Sequence, residues 1–360
     1  MSLFNRLDTH LAENDLQAVW FAEPNGFAWL TGGGDSVVDR EGDVGVAAAG
    51  YDGDGVTVVT NNIEARRLRD EELDEEVTVE TFEWYETSLA EAVVSVSPTP
   101  AAADFDVAGF SSVDASELRQ PLTDRQIEQY RDLSADAAAA IESVARGASA
   151  DDTERAVAAE LRHELSARGV ESPVALVGSA ARAQQYRHYT PKDERLGEYA
   201  LLSVTAQRDG LHTSCTRTVA FDPPEWLEER TRKAIRVETT ALAATQAVAE
   251  EGGTAADVFA AIQDAYDSVG WDGEWRNHHQ GGAAGFAGRE WIATPDNDAP
   301  VVAPQGYAYN PTIQGAKSED THLVTADGVE TLSETGHWPT VDVSAVGYDV
   351  EFARHDVLQR

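Results

Sequence analysis

Cysteine is nearly missing from this sequence, because Cys215 is the only one among 360 residues. A single thiol cannot form an internal disulfide, and it excludes a cluster of thiolate metal ligands. Cys215 follows Ser214, but free cysteine is commonly buried, and we do not expect it to be a nucleophile. No stretch approaches the ~18 apolar residues that a membrane-spanning helix needs, and the chain does not begin with a basic segment followed by an apolar run. We therefore expect a cytoplasmic protein with no membrane partner.

Positive charge is also scarce. There are 27 lysines and arginines against 64 aspartates and glutamates, which gives a formal net charge of −37, and only Lys192, Lys233 and Lys317 are lysines. Because 42% of residues are hydrophobic, the acidic residues must coat a folded surface rather than belong to a disordered chain. This composition is typical of adaptation to a cytosol of molar salt, where the Debye length falls to ~3 Å. The charge argues against nucleic acid, itself a polyanion, as a partner.

The sequence pattern changes near residue 118. Residues 1–118 alternate short apolar runs with helical spacing, which predicts a smaller α/β domain, and residues 119–360 contain longer helices between strands, which predicts an α+β domain. We expect residues 95–105, rich in proline and alanine, to be a surface connection. Helices are predicted at 3–13, 62–72, 124–146, 153–168, 225–250 and 257–268, and strands at 17–22, 44–48, 55–60 and 76–81.

Residues Leu201–Phe221, with the sequence LLSVTAQRDGLHTSCTRTVAF, predict a β-hairpin around Gln207–Gly210. A four-residue loop would place Ser203 opposite Ser214, and Cys215 would point to the other face. From spacing alone, the polar face is either a half-exposed surface or part of a site. It carries Ser203, Thr205, His212 and Ser214.

Five short segments follow one another along residues 121–340. They are His188, Thr216-Arg217-Thr218, Asn277-His-His-Gln-Gly-Gly282, Asn310-Pro311 and Ser318-Glu-Asp-Thr321. Their order and spacing resemble the pita-bread hydrolase family, which includes methionine aminopeptidase, Xaa-Pro aminopeptidase, prolidase and creatinase. The resemblance implies a C-terminal pita-bread domain at 119–360, preceded by a creatinase-type α/β domain at 1–118. It also implies a homodimer, since members of this type usually pair.

Members of the family that this chain resembles bind metal through five ligands, which are Asp, Asp, His, Glu and Glu. Four carboxylates balance two divalent ions, whereas here one carboxylate remains, and hydroxyl and amide oxygens are poor ligands for a buried dication. We therefore expect no metal cofactor; the alternative is a single divalent ion on His279 and Glu319, helped by His278. The matching positions in this sequence are Ser203, Ser214, His279, Asn310 and Glu319.

The candidates for catalysis are His188, His279 and Glu319. His188 matches the histidine that shuttles a proton in creatinase, and a histidine near neutral pKa can take a proton from water and return it to a leaving nitrogen. Creatinase carries a glutamate where Thr216 stands here, so the match is incomplete. A structural role for His188, and a pairing of His188 with a hairpin serine as nucleophile, remain open.

The candidates for substrate binding are Arg289, His212 and Asn310. Arg289 lies in Gly288-Arg-Glu-Trp291, which resembles a stretch of creatinase, and it could hold a substrate carboxylate or belong to a surface ion pair. Adjacent residues on a strand point to opposite faces, so we expect His279 to line the site and His278 to pack outside it.

The resemblance and the substituted ligands together favour a metal-independent hydrolase that cleaves an amide or related C–N bond. Its partner would be a small peptide, such as a Xaa-Pro-like dipeptide, or a small nitrogenous metabolite. One alternative is a non-catalytic protein that binds a peptide or metabolite. Another is a metallo-aminopeptidase for Xaa-Pro substrates with unusual ligands.

Overall fold

The computed structural model describes residues 2–360, and its contacts divide the chain into two compact units. One unit consists of the described residues up to Thr123 together with Asp209–Leu211, and the other consists of Asp124–Arg208 and His212–Arg360. The boundary between residues 118 and 119 stays a proposal about domains.

The first unit is built on one mixed sheet. Its elements in chain order are α1 (Leu3–Glu13), β1 (Ala18–Phe21), α2 (Pro24–Thr31), β2 (Ala47–Tyr51), β3 (Val56–Asn61), α3 (Ala65–Arg67), β4 (Thr78–Phe82), α4 (Leu89–Val96), β5 (Ala101–Ala103) and β6 (Ser111–Ser112). The strand order is β4-β3-β2-β1-β5-β6, with β1 and β5 parallel and β1 and β2 antiparallel. Every residue of β1 is buried, which explains why this strand reads as a continuous apolar run.

The expectation of a surface connection at 95–105 is wrong. Strand β5 runs through this stretch, and its three alanines are buried between β1 and β6. Helix α4 precedes it and begins with a capping box between Ser88 and Glu91. The helix expected at 62–72 is the short α3 followed by one π-helical turn at Leu68–Glu72, and the strand expected at 44–48 lies three residues later, at β2.

The second unit holds the long helices. Its elements are α5 (Asp124–Gly147), α6 (Glu154–Ser166), β7 (Glu171–Ser179), α7 (Ala180–Ala183), β8 (Tyr199–Arg208), β9 (Leu211–Ala220), α8 (Leu227–Glu251), α9 (Ala255–Ser268), β10 (Gly281–Ala284), β11 (Gln305–Tyr309), β12 (Thr312–Ile313), β13 (Ala316–Lys317), β14 (Asp320–Thr325), β15 (Gly328–Thr331), β16 (Thr340–Ser344), β17 (Glu351–His355) and β18 (Leu358–Gln359). The four helices predicted in this unit are confirmed to within two residues at each end.

Two four-stranded sheets carry the candidate site in this unit. One has the order β18-β9-β8-β7 and the other β10-β11-β14-β15, and the pairs β12-β13 and β16-β17 complete the strands. One hydrophobic core cluster of this unit packs α8 and α9 against β10, β11 and β14. Thr254 and Asp257 form a capping box that starts α9. Among residues 2–360, the helices lack the combination of length and apolarity needed to cross a bilayer.

Candidate functional site

The hairpin of β8 and β9 turns tightly at Asp209 and Gly210, whose φ angles of 53° and 80° are both left-handed. Such a two-residue turn is typical of Asp-Gly. As a result the hydroxyl of Ser203 lies 2.7 Å from that of Thr216, and the hydroxyl of Thr205 lies 3.1 Å from that of Ser214. The predicted four-residue loop and the pairing of Ser203 with Ser214 are therefore wrong. The register differs by two residues, so the same residues still share a face.

A cavity of about 180 Å³ opens beside this face. Ser214 is not among the lining residues. It contacts a residue that is, because Nη1 of Arg289 lies 3.4 Å from the serine hydroxyl. His212 is not among the lining residues; its backbone amide donates to Gly285 and its carbonyl accepts from Tyr130. The polar residues that line the cavity are His188, Ser203, Thr205, His279, Arg289, Asn310, Lys317 and Glu319.

Glu319 is the one carboxylate among the described residues that line the cavity. Its Oε2 lies 2.7 Å from Nζ of Lys317 and accepts a hydrogen bond of 2.8 Å from the hydroxyl of Thr216. Its Oε1 lies 3.1 Å from Nη2 of Arg289. Burial would raise the pKa of Glu319, but Lys317 and Arg289 outweigh it and hold the pKa below its usual value. Glu319 is thus ionised at neutral pH and already shared by two cations.

Three histidines meet at one end of the cavity. Nε2 of His188 lies 3.2 Å from Nε2 of His278, and the rings of His278 and His279 stack with centroids 4.4 Å apart. Residues 278–280 form a loop rather than a strand; His279 lines the cavity, whereas His278 is not among the lining residues and contacts His188 instead. Burial lowers the pKa of all three histidines, to about 2 for His278 and about 4 for His279. All three are therefore neutral near pH 7, and His188 can accept a proton.

The donor groups at the matched ligand positions do not fit two dications. Ser203, Ser214 and Asn310 supply neutral oxygens, and Glu319 is held by two cationic side chains. The three histidines have ligand atoms within 4.8 Å of one another, a spacing that could suit a single ion.

Two observations weigh against that single ion. The positive charge of Lys317 already lowers the pKa of each of the three histidines, so a dication there would be repelled. Nδ1 of His278 is also buried without a hydrogen-bond partner in the described part of the chain, whereas a ligating histidine normally donates its second nitrogen to an acceptor.

A buried ion network holds the backbone on which Glu319 lies. Arg217 is fully buried, with Nη1 2.9 Å from Asp320 and Nη2 3.3 Å from Glu142. Arg354 lies 2.8 Å from Asp320 and 2.9 Å from Glu238. The amide of Asp320 donates to Glu238 at 2.9 Å, which fixes the start of β14 next to Glu319. The ion pair between Arg217 and Asp320 therefore joins the Thr-Arg-Thr and Glu-Asp-Thr segments in the core.

Lys317 is the site residue that the sequence interpretation missed. It is one of three lysines in the chain, and it is buried, whereas Lys233 makes an ion pair on the surface of α8. Burial of a lysine is rare unless it is paired, so its rarity here and its position two residues before Glu319 were the available signal.

Residues 125–326 match the sequence model of metallopeptidase family M24. The chain belongs to this family. It is 26% identical over 207 residues to a Xaa-Pro dipeptidase of Pyrococcus horikoshii, covering 55% of this chain and 56% of that protein. A Xaa-Pro dipeptidase of Pyrococcus furiosus is 25% identical over 207 residues, covering 55% and 57%. The chain thus spans about half the length of the curated relatives it matches.

Solved structures share the architecture over nearly the whole chain. The prolidase from Pyrococcus horikoshii has a TM-score of 0.75 at 18% identity, covering 92% of this chain and 98% of that one. The N-terminal domain of the FACT complex subunit SPT16 from chickpea has a TM-score of 0.67 at 11% identity, covering 92% and 96%. At these identities the likeness shows the fold alone. It confirms the expected pita-bread fold with a preceding N-terminal domain.

Proposed function

We propose that this M24 protein hydrolyses an amide or related C–N bond in a small substrate without the paired metal ions typical of its family. The observation that carries the proposal is the seating of Lys317 and Arg289 on Glu319. Two side-chain cations stand beside the carboxylate that would otherwise hold divalent ions. They keep the cavity positive without a metal.

The chemistry can be followed with the residues of the chain. Neutral His188 takes a proton from water, and the water oxygen attacks the carbonyl carbon of the substrate. The negative charge that develops on the carbonyl oxygen is stabilised by the side-chain amide of Asn310 and by the net positive charge of the cavity. His188 then gives its proton to the leaving nitrogen as the C–N bond breaks, so the products are a carboxylic acid and an amine. His278 contacts His188 through Nε2 and acts as a positioning residue.

A second candidate function is binding of a peptide or metabolite without turnover. It is supported by the complete pairing of Glu319, which leaves that carboxylate unavailable as a base. The same fold also occurs in a protein named as a subunit of the FACT complex rather than as a peptidase. A third candidate, a metallo-aminopeptidase with unusual ligands, predicts activity that depends on added metal.

Turnover separates the three functions. Amine release is measured from a panel of small amides and dipeptides in high salt, with a chelator or with manganese added. We expect chelator-resistant activity that falls by at least ~100-fold in His188→Ala, while the exposed control His163→Ala keeps full activity. Binding without turnover supports the second function, and activity that appears only with manganese supports the third.

The setting of this activity is also a proposal. The acidic composition supports a salt-adapted, cytoplasmic protein, and the family supports a homodimer. Size-exclusion chromatography with light scattering in molar potassium chloride tests the dimer.

A further inference from the structure

Two polar side chains that line the cavity have atoms without partners. Asn310 is 3% exposed, and its Oδ1 is buried with no hydrogen-bond partner in residues 2–360. Arg289 uses Nη1 on Gly288 and Ser214 and Nη2 on Glu319, but its buried Nε has no partner in the same part of the chain. Buried polar groups are normally paired, so these atoms mark where a ligand's polar groups would lie.

The charges around the cavity limit that ligand further. Among the lining residues, Lys317 and Arg289 carry a positive charge and Glu319 a negative charge. The lining therefore carries a net charge of about +1, which one carboxylate balances. A ligand ammonium would meet Lys317 with no free carboxylate to receive it, because Glu319 already binds two cations and Thr216. An anionic ligand without an ammonium group is favoured.

The amide of Asn310 is suited to a neutral partner. A primary amide carries both a donor and an acceptor, so it complements the N–H and C=O of a secondary amide or a ureido group. This holds whichever way the Asn310 side chain is turned.

We propose that the cavity takes a small monoanionic N-acyl or N-carbamoyl amino acid. Its carboxylate would lie on Arg289 and Lys317, and its amide or ureido group on Asn310. The proposal rests on the proposed function, because the same amide is the bond that would be cleaved. Water adds to the acyl carbon, the acyl C–N bond breaks, and the nitrogen leaves with a proton from His188. The freed amino acid carries an ammonium group that Lys317 repels, which favours its release.

Calorimetric titration of the unaltered protein in high-potassium buffer tests the ligand class with matched probes. N-acetylglycine is the monoanion, glycylglycine adds an ammonium, N-acetylglycinamide removes the carboxylate, and N-carbamoylglycine tests the ureido arm. We expect N-acetylglycine or N-carbamoylglycine to bind at least about tenfold more tightly than the other two. Equal or tighter binding of glycylglycine or N-acetylglycinamide, or no binding of any probe, overturns the proposal.

Asn310→Asp provides a second test. A carboxylate at this position would receive an ammonium, so we expect the preference to shift at least about tenfold toward glycylglycine. An unchanged preference contradicts the role of Asn310. Amine release measured on the same samples separates the two proposals. Selective binding of the acylated probes without cleavage contradicts only the proposed hydrolysis. Cleavage of glycylglycine in preference to the acylated probes contradicts only the proposed ligand class.

Discussion

The ammonium of Lys317 lies 2.7 Å from Oε2 of Glu319, and both side chains are only 6% exposed. A buried carboxylate is costly unless it is paired, and here Lys317, Arg289 and Thr216 all contribute to the pairing. Any cation that approached Glu319 would have to displace these side chains. The charge of Lys317 in this pair also acts on the nearby histidines, because it adds to the effect of burial in lowering their pKa values.

Replacing Lys317 with methionine should raise the pKa of His188. Burial is the largest cause that lowers this pKa and the charge of Lys317 is the next, whereas Glu319 raises it. Without the ammonium, protonated His188 is less disfavoured. The acid limb of the pH–rate profile should then move to higher pH, because the base must be neutral.

The measurement is an NMR titration of the His188 ring, with Lys233→Met as the control, since Lys233 pairs with Glu229 on α8. An unchanged or lower His188 pKa in Lys317→Met contradicts the assignment.

The lowered pKa of His188 also makes the stability of the fold depend on pH. The unfolded chain binds a proton at His188 more readily than the folded protein does. The contribution of His188 to the free energy of unfolding is therefore complete above the unfolded-state pKa of about 6.5, and it is lost as the pH falls toward the lower pKa of the folded state.

Arg217→Met should destabilise the fold by about 3–5 kcal/mol, because it removes a partner of buried Asp320 and leaves buried Glu142 with only Arg146, 4.0 Å away, as a cationic neighbour. Urea unfolding followed by circular dichroism measures the free energy of unfolding. Arg155→Met is the matched control: its ion pair with Asp193 is exposed, and we expect no measurable change. Equal effects of the two substitutions would show that the buried network does not hold the site.

The melting temperature should rise steeply between about 0.1 and 1 M potassium chloride, since the Debye length shrinks from ~10 Å to ~3 Å and screens a net charge of −37. Differential scanning calorimetry measures the shift. Sorbitol at matched osmolality is the control, because it does not screen charge. A similar rise in sorbitol would mean that screening is not the cause and would remove the argument for salt adaptation.

The fold could be predicted because its signals are local or short in range. Helical periodicity located α5, α6, α8 and α9, and the ordered motifs identified the pita-bread domain. Buried β5 escaped prediction, because its three alanines, which follow Pro98 and Pro100, carry little strand propensity and are placed by their neighbours β1 and β6.

The site could be predicted only in part. Motif positions indicated His188, Ser203, His279, Arg289, Asn310 and Glu319, and all of them line the cavity. The hairpin register was missed because Asp209-Gly210 alone forms the turn. Lys317 was missed because its role arises from contacts with Glu319, which no spacing rule reveals.

The central claim is that side-chain cations replace the paired metal ions, and metal analysis tests it most directly. The protein is incubated with excess manganese, exchanged into metal-free buffer of high salt, and analysed by inductively coupled plasma mass spectrometry. The variant Ser203→Asp/Ser214→Asp/Asn310→Glu, which restores carboxylates at three positions, serves as the comparison and should retain more manganese. We predict well below one equivalent per chain for the unaltered protein; two equivalents retained per chain would contradict the account.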